Sequence, residues 1–549
     1  MAALISVFNI YKKQDENEAK KFISAHESKI APLIREMSVA YFNASITGDT
    51  NDFNKSAEME IKLNKLYSNK EEFKKIKSFV ESKNITDTLL KRELKLIYND
   101  FLRKQISEKK SEEIINLSNK IEQKFTTYRT SFGDKKISDN DVNNILKNST
   151  DNKELKDVWN ASKKIGGIVA DDVIKIVKLR NQAAKELGFK NYYEMELLLD
   201  EQDPAEIEKI FNELENLTHN SFVQVKDEID TYLSARYKIP KNELMPWHYQ
   251  DRFFQEAPKI YDADPDNYYI GKDIIKLANG YYNSIGLDIS KILSKSDLYE
   301  KPGKNQHAYC TDIDRSGDVR VLANVKSNAY WMNTMLHEIG HGIYFEEIDK
   351  SLPYTLREPA HTFTTEAIAM MFGRLAGDPQ WMFEMKLINK SEKDKMENES
   401  HKALRLQQIV FSRWAQVMYH FERSLYENPD QDLNKKWWEL VGKYQFLKCP
   451  EGRNEPDWAS KIHIVSSPCY YHNYLLGEIL ASQLYYYISN HVIIKTSDNN
   501  NQFVNHPEIG IFLKEKFFKP GRKWNWDDLI KYATGENLTA KYYAMQFIN

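Results

Sequence analysis

The residues of this chain best suited to chemistry are His337, Glu338 and His341, in the run MLHEIGHGIYF at 335–345. On a helix, residues four apart share one face, about 6 Å apart along the axis. The two imidazoles can therefore reach one divalent cation. Glu338 then stands beside that cation, placed to take a proton from a bound water. The chemistry would be metal-assisted hydrolysis, and it needs a third ligand. Glu366, in HTFTTEAIAMMFGRLAG at 361–377, has apolar neighbours from Ala367 to Phe372. A carboxylate in such surroundings needs a partner. With His337, His341 and Glu366 as ligands, one position stays open for water. His361, at the start of the same segment, is the rival third ligand. Tyr344 and Glu347 occupy the positions where one large class of zinc proteases has glycine and histidine, which excludes that class.

These residues need two helices and a support. The loop DKSLPYTLREPA at 349–360 separates the two helical segments, which can then pack antiparallel. Gly340 and Gly342 cost the first helix roughly 1 kcal/mol each against alanine, a sacrifice that fits close packing near the metal. Just upstream, HAYCTDID (307–314) and DVRVLANV (318–325) flank Arg315-Ser316-Gly317 and read as two strands around a turn, with Val319, Val321, Ala323 and Val325 on one face. From about 15 to 235 the chain reads as successive amphipathic helices. Irregular loops follow at 239–272, and helices return after the sheet, with a loop at 448–457 and a last helical segment near 526–548. The expected fold class is mainly α: a single large helical domain, 1–549, with a small β-sheet beside the metal candidate. Its N-terminal helical part covers about 1–240, and the sheet, metal helices and C-terminal helices cover about 241–549.

The 549 residues include 41% hydrophobic and 29% charged side chains, enough for a large core under a solvated surface, and the net charge of −3 argues against a nucleic-acid partner. Cys310, Cys449 and Cys469 are too few and scattered for a disulfide framework and are expected as free thiols. No apolar run reaches the 18 residues needed to span a bilayer. The opening MAALISVFNIYKK lacks a basic region ahead of its apolar stretch and does not read as a signal peptide. Compartment, periplasmic or extracellular against cytoplasmic, and oligomeric state are left open.

HEIGH, then SLPYTLREPA, then TEAIA resembles the zinc and third-ligand region of the angiotensin-converting enzyme family and its bacterial relatives. It is a little less similar to oligoendopeptidase F and thimet oligopeptidase. DENEAKKFISAHESKIAPL (15–33) resembles the family's opening helix, while RNQAAKELGFKNYYEMELLLDEQD (180–203) and PGRKWNWDDLIKYATGENL (520–538) resemble the wider clan.

The resemblance implies one zinc per chain and a deep substrate channel between two helical halves. In KIHIVSSPCYYHNYLLGEILASQLYYY (461–487), it implies that His463 and Tyr474 donate hydrogen bonds to the oxyanion. One residue is inserted between Pro468 and Tyr474, so Tyr470 and Tyr471 compete for the neighbouring role; Tyr485 to Tyr487 read as core. Lys461, helped by Tyr471 and by Gln250, would grip the substrate's C-terminal carboxylate. His307 and the backbone around Ala308 and Cys310 would hold an extended peptide by strand addition. The resemblance also has gaps. Met370 stands where the family has an acidic residue supporting a zinc histidine, and Asn473 stands where animal enzymes have a chloride-linked arginine, which argues against chloride activation. Gln306 replaces a disulfide cysteine. The implied activity is hydrolysis of oligopeptides with release of C-terminal dipeptides. The alternatives are an oligoendopeptidase indifferent to the C-terminus and an inactive peptide-binding protein on the same scaffold.

Overall fold

The computed structural model describes residues 2–493 and 503–548, with side chains from residue 13 onward. The expected class is what forms: the chain is mainly helical, with strands confined, among the described residues, to two antiparallel hairpins. These are β1 (Thr130–Phe132) with β2 (Lys135–Ile137), and β3 (Tyr309–Asp312) with β4 (Val319–Leu322). The first hairpin has no counterpart in the sequence reading. Its strands are three residues long, too short to show alternation, and only Gly133 at φ 57° marks its turn. No helix among the described residues is long and apolar enough to cross a membrane. The three cysteines are free.

By compactness the chain divides into two units assembled from separate stretches of sequence. The first comprises 1–105, 264–397 and 477–538; the second comprises 106–263, 398–476 and 539–549.

In the first unit, helices Ala2–Thr47, Lys70–Glu81 and Thr88–Arg103 share a core that includes Phe22, Ile76, Leu94, Ile97 and Phe101. The first of these helices also carries Phe42, which packs on Ile313 and Leu322 beside the second hairpin. That hairpin pairs Tyr309 with Leu322 and Asp312 with Val319. It is shorter than its alternating pattern suggests because aspartates compete for the backbone. Asp312 accepts the N–H groups of Asp314 and Arg315, and Asp314 accepts those of Ser316 and Asp318. The opposite edge of β4 meets Asp297, whereas β3 is paired, among the described residues, on one edge only.

In the second unit, the helices Asn152–Glu186 and Pro204–Tyr237 begin at Asp151 and Asp203, whose side chains cap the first turn. Their inner faces are apolar, with Val158, Val169, Val173, Ile207, Phe211 and Leu214 among the buried residues.

Candidate metal centre

The H-E-x-x-H residues lie on the helix Ala329–Glu347, started by Asn328, whose side chain accepts the Trp331 N–H. Met335, Leu336, Ile339, Ile343 and Tyr344 on this helix are fully buried. Each contributes on the order of 1.5–3 kcal/mol of apolar burial, which offsets the two glycines. A Cβ on Gly340 would sit 3.0 Å from the Cα of Ala369, so the glycine is where the next helix, Thr362–Gly373, crosses closest. The intervening loop is fastened from outside: Thr355 donates to Glu27 through both N–H and hydroxyl, and Glu358 pairs with Arg315 and Arg522. Burial pushes the Glu358 carboxyl up, but the two guanidiniums hold it below its usual range.

This packing brings His337, His341 and Glu366 together, with one donor atom from each lying within 4.8 Å of the others. The two Nε2 atoms are 3.2 Å apart and stand 3.8 and 3.9 Å from Oε2 of Glu366. Ligand atoms about 2.1 Å from a tetrahedral zinc stand roughly 3.4 Å apart, so the donor set fits one ion. The second contact of His341 agrees: its Nδ1 lies 2.8 Å from Oγ1 of Thr365, and a hydrogen donated there leaves the lone pair on Nε2. Burial pushes the His337 imidazole down to about 4 and that of His341 well below its ordinary value, so both rings are neutral. The carboxyls move the other way. Burial raises Glu366 to about 7; burial and then the Glu366 charge raise Glu338 to about 8, against the opposing hydrogen bond from the Cys310 backbone. Glu338, only 9% exposed, therefore sits beside both the donors and the free edge of β3.

His361 is not part of this cluster. It caps the helix Thr362–Gly373, its Nδ1 accepting the Phe363 N–H at 3.2 Å. His307 is exposed, two residues ahead of β3, and donates its N–H to Asn305. Ala308 immediately precedes that strand. Thr365 was not anticipated; the only available signal was its place next to Glu366.

Within the second unit, Lys461, His463, Tyr471 and Tyr474 form a cluster of their own. His463 and Tyr474 each lie 5.4 Å from the Tyr471 ring, and Tyr470 lies 5.3 Å from Tyr474. The Tyr471 hydroxyl accepts the indole N–H of Trp414 at 2.7 Å. Lys461 donates to Oε1 of Gln255 at 2.6 Å and stands over Phe253, Trp414 and Tyr471. The glutamine at this lysine is thus Gln255; Gln250 is buried beside Tyr237, with its backbone at φ 61°. Both lie in the irregular stretch after residue 246, where no periodicity tells which way a side chain points. Burial, then the Lys461 charge, push His463 down to about 4, and its Nδ1 has no hydrogen-bond partner among the described residues. Lys461 and His463 line a cavity of about 190 Å³, which Arg252, Gln255 and Glu256 help to wall. Asn473 accepts from Gln202 at 2.7 Å, and Gln202 also contacts His472 at 2.7 Å; the Asn473 side chain itself offers an anion no charge.

Two imidazoles and a carboxylate from neighbouring helices, with a buried glutamate beside them, make a donor set of the kind that holds a divalent cation on a helical scaffold. Comparison with known proteins gives the family. The family model for angiotensin-converting enzyme matches residues 13–253 and 254–547. The chain is 23% identical to the angiotensin-converting enzyme of Mesocricetus auratus over 565 residues, covering 96% of this chain and 42% of that protein. It is 23% identical to that of Theromyzon tessulatum over 579 residues, covering 96% and 90%, and 24% identical to that of Sus scrofa, covering 95% and 42%. It therefore spans less than half the length of the hamster and pig proteins. The chain belongs to the angiotensin-converting enzyme family, a family of zinc metallopeptidases.

Proposed function

We propose that this chain is a zinc-dependent peptidyl-dipeptidase that releases C-terminal dipeptides from oligopeptides. His337, His341 and Glu366 hold the ion. Bound there, zinc supplies a Lewis acid for the peptide carbonyl, an acidified water, and positive charge that favours the carboxylate form of Glu338. Glu338 takes the proton of the attacking water and passes it to the leaving amine. Tyr474 donates its hydroxyl hydrogen to the oxyanion that develops on the carbonyl, and neutral His463 donates its ring N–H. The substrate backbone adds to the free edge of β3, with His307 and Ala308 at its entry. Asn473 gives no reason to expect chloride activation.

The observation that carries the dipeptide specificity is Lys461. The residue is 9% exposed, and its one hydrogen-bonded acceptor among the described residues is the neutral amide oxygen of Gln255. A buried ammonium so placed suits a carboxylate brought by the substrate, with Gln255 and Tyr471 beside it. A peptide held by its free C-terminus would be cut at a fixed distance from that end.

The test is one peptide with a free and with an amidated C-terminus, assayed with and without chelator. Cleavage confined to the free form, two residues from its end and abolished by chelation, is expected. Equal rates on both forms point to an oligoendopeptidase, and no turnover by the zinc-loaded protein points to a peptide-binding role. Glu338→Gln should retain zinc, by metal analysis, yet lose nearly all turnover; near-normal turnover would show the base to be another group.

A further inference from the structure

The segment carrying His463, Tyr471 and Tyr474 turns at Cys469, whose φ of 59° is a left-handed conformation that costs a non-glycine residue energy. Three buried side chains from other elements hold this segment. Upstream, Arg180 donates to the carbonyls of Ile464 at 3.4 Å and Val465 at 3.0 Å, and to the Tyr426 hydroxyl at 3.1 Å. Downstream, Gln202 meets His472 and Asn473. At the turn itself, the Cys469 N–H donates at 2.7 Å to Oε1 of Glu422, a residue of the helix Lys390–Glu427 that is 2% exposed.

A carboxyl so deeply buried is expensive unless it is bonded, and here its bond goes to the one strained peptide of the segment. Burial pushes Glu422 up to about 8, against the Cys469 N–H and the Arg180 charge. In either protonation state Oε1 can accept the N–H. The ring contacts among His463, Tyr470, Tyr471 and Tyr474, all between 5.3 and 5.4 Å, transmit any relaxation of the turn to the groups that carry the chemistry.

We propose that Glu422 is a positioning residue: by holding the Cys469 N–H, it keeps the left-handed turn that aims Tyr474. This rests on the reading of Tyr474 as an oxyanion donor. Glu422 touches no substrate, so its loss is felt in turnover more than in binding. A misplacement of about 1 Å costs on the order of 100-fold in rate.

The experiment measures kcat, KM and thermal unfolding of the zinc-loaded protein on a free-C-terminus peptide. Tyr474→Phe comes first; unchanged turnover there overturns the reading of Tyr474 and this inference with it. Glu422→Leu, which removes the acceptor at similar volume, should lower kcat on the order of 100-fold with KM little changed. Glu422→Gln, whose amide oxygen can accept the same N–H, should keep most of the turnover. Cys469→Gly in the Glu422→Leu background should restore activity, because glycine holds a left-handed φ unaided. If Glu422→Leu does not fold, Glu422→Asp, one methylene too short to reach the N–H, replaces it. With Tyr474→Phe impaired, any of three results overturns the positioning role alone: wild-type kcat in Glu422→Leu, an equal fall in Glu422→Gln, or no recovery with Cys469→Gly.

Discussion

Lys461 keeps a positive charge where the surroundings favour neutrality. Burial pushes its ammonium down to about 8; the Asp251 charge opposes this and Arg252 adds to it. The folded pKa therefore lies below the unfolded value near 10.5. Below pH 8 both states carry the charge and the folded state bears the full cost of burying it. Between pH 8 and 10.5 the unfolded chain holds the proton while the folded protein has lost it, so the cost falls as pH rises. The full difference is about 3 kcal/mol. Two consequences can be measured. KM for a free-C-terminus peptide should rise above pH 8, as the gripping charge is lost, while Lys461→Met should show a high KM without that rise. The same variant should unfold at higher urea than wild type at pH 7. A KM flat across pH 8 in the wild type would mean that this lysine does not bind the carboxylate. At this scale the sequence was readable wherever spacing alone decides geometry. His337, Glu338 and His341 follow from helical periodicity, and Glu366 from a carboxylate set in an apolar run. Gln255 and Thr365 were not readable, because contacts brought together by tertiary packing select them.

Helix packing around the centre depends on the absence of a side chain at Gly340. Intrinsic propensity and packing make opposite claims there. Alanine favours a helix interior by about 1 kcal/mol over glycine, but its Cβ would press on the Ala369 backbone at 3.0 Å, and backbone cannot swing aside. Overpacking of that kind costs about 1–3 kcal/mol, so packing wins. Gly340→Ala should lower the unfolding midpoint and, by parting the two helices, weaken zinc retention against a competing chelator. Gly167, inside the helix Asn152–Glu186, has nothing within 4 Å of its would-be Cβ and supplies the control. Gly167→Ala should raise stability by about 1 kcal/mol and leave zinc affinity alone. Stabilisation by both substitutions would show that Gly340 is a chance glycine. The sequence suggested close approach at Gly340 and Gly342 but not its partner. It showed the helices and the β3–β4 turn through periodicity and turn residues. It did not show the left-handed turn at Cys469, whose stabilising carboxyl lies 47 positions away.

For the molecule as a whole, 77 basic and 80 acidic side chains nearly cancel, so the pH dependence of stability falls to buried groups that titrate differently once unfolded. Two kinds are present, with opposite signs. His26 is 1% exposed among Phe22, Tyr67 and Phe101, with neither ring nitrogen partnered among the described residues. Burial pushes it down to about 4, with Glu72 opposing and Lys29 assisting. As pH falls from 6.5 toward 4, the unfolded chain takes up this proton and the folded chain does not, so stability is lost, by up to about 3 kcal/mol for a shift of that size. Glu93 is also buried but shifts oppositely: burial, then Glu27 and Asp87, raise it to about 7. Between pH 7 and its ordinary value near 4.5, the folded protein holds the extra proton, so stability is gained as pH falls. The wild-type profile mixes the two, and only substitution separates them. Relative to wild type, His26→Leu should gain stability between pH 7.5 and 5, by about 2 kcal/mol of the full effect. Glu93→Gln should change in the opposite direction, holding its largest advantage at pH 8. Urea unfolding of the zinc-loaded protein at pH 8, 6.5 and 5 measures both differences. Parallel profiles for wild type and His26→Leu would show that the imidazole finds a partner or reaches water in solution, and that the acid sensitivity of this fold lies elsewhere.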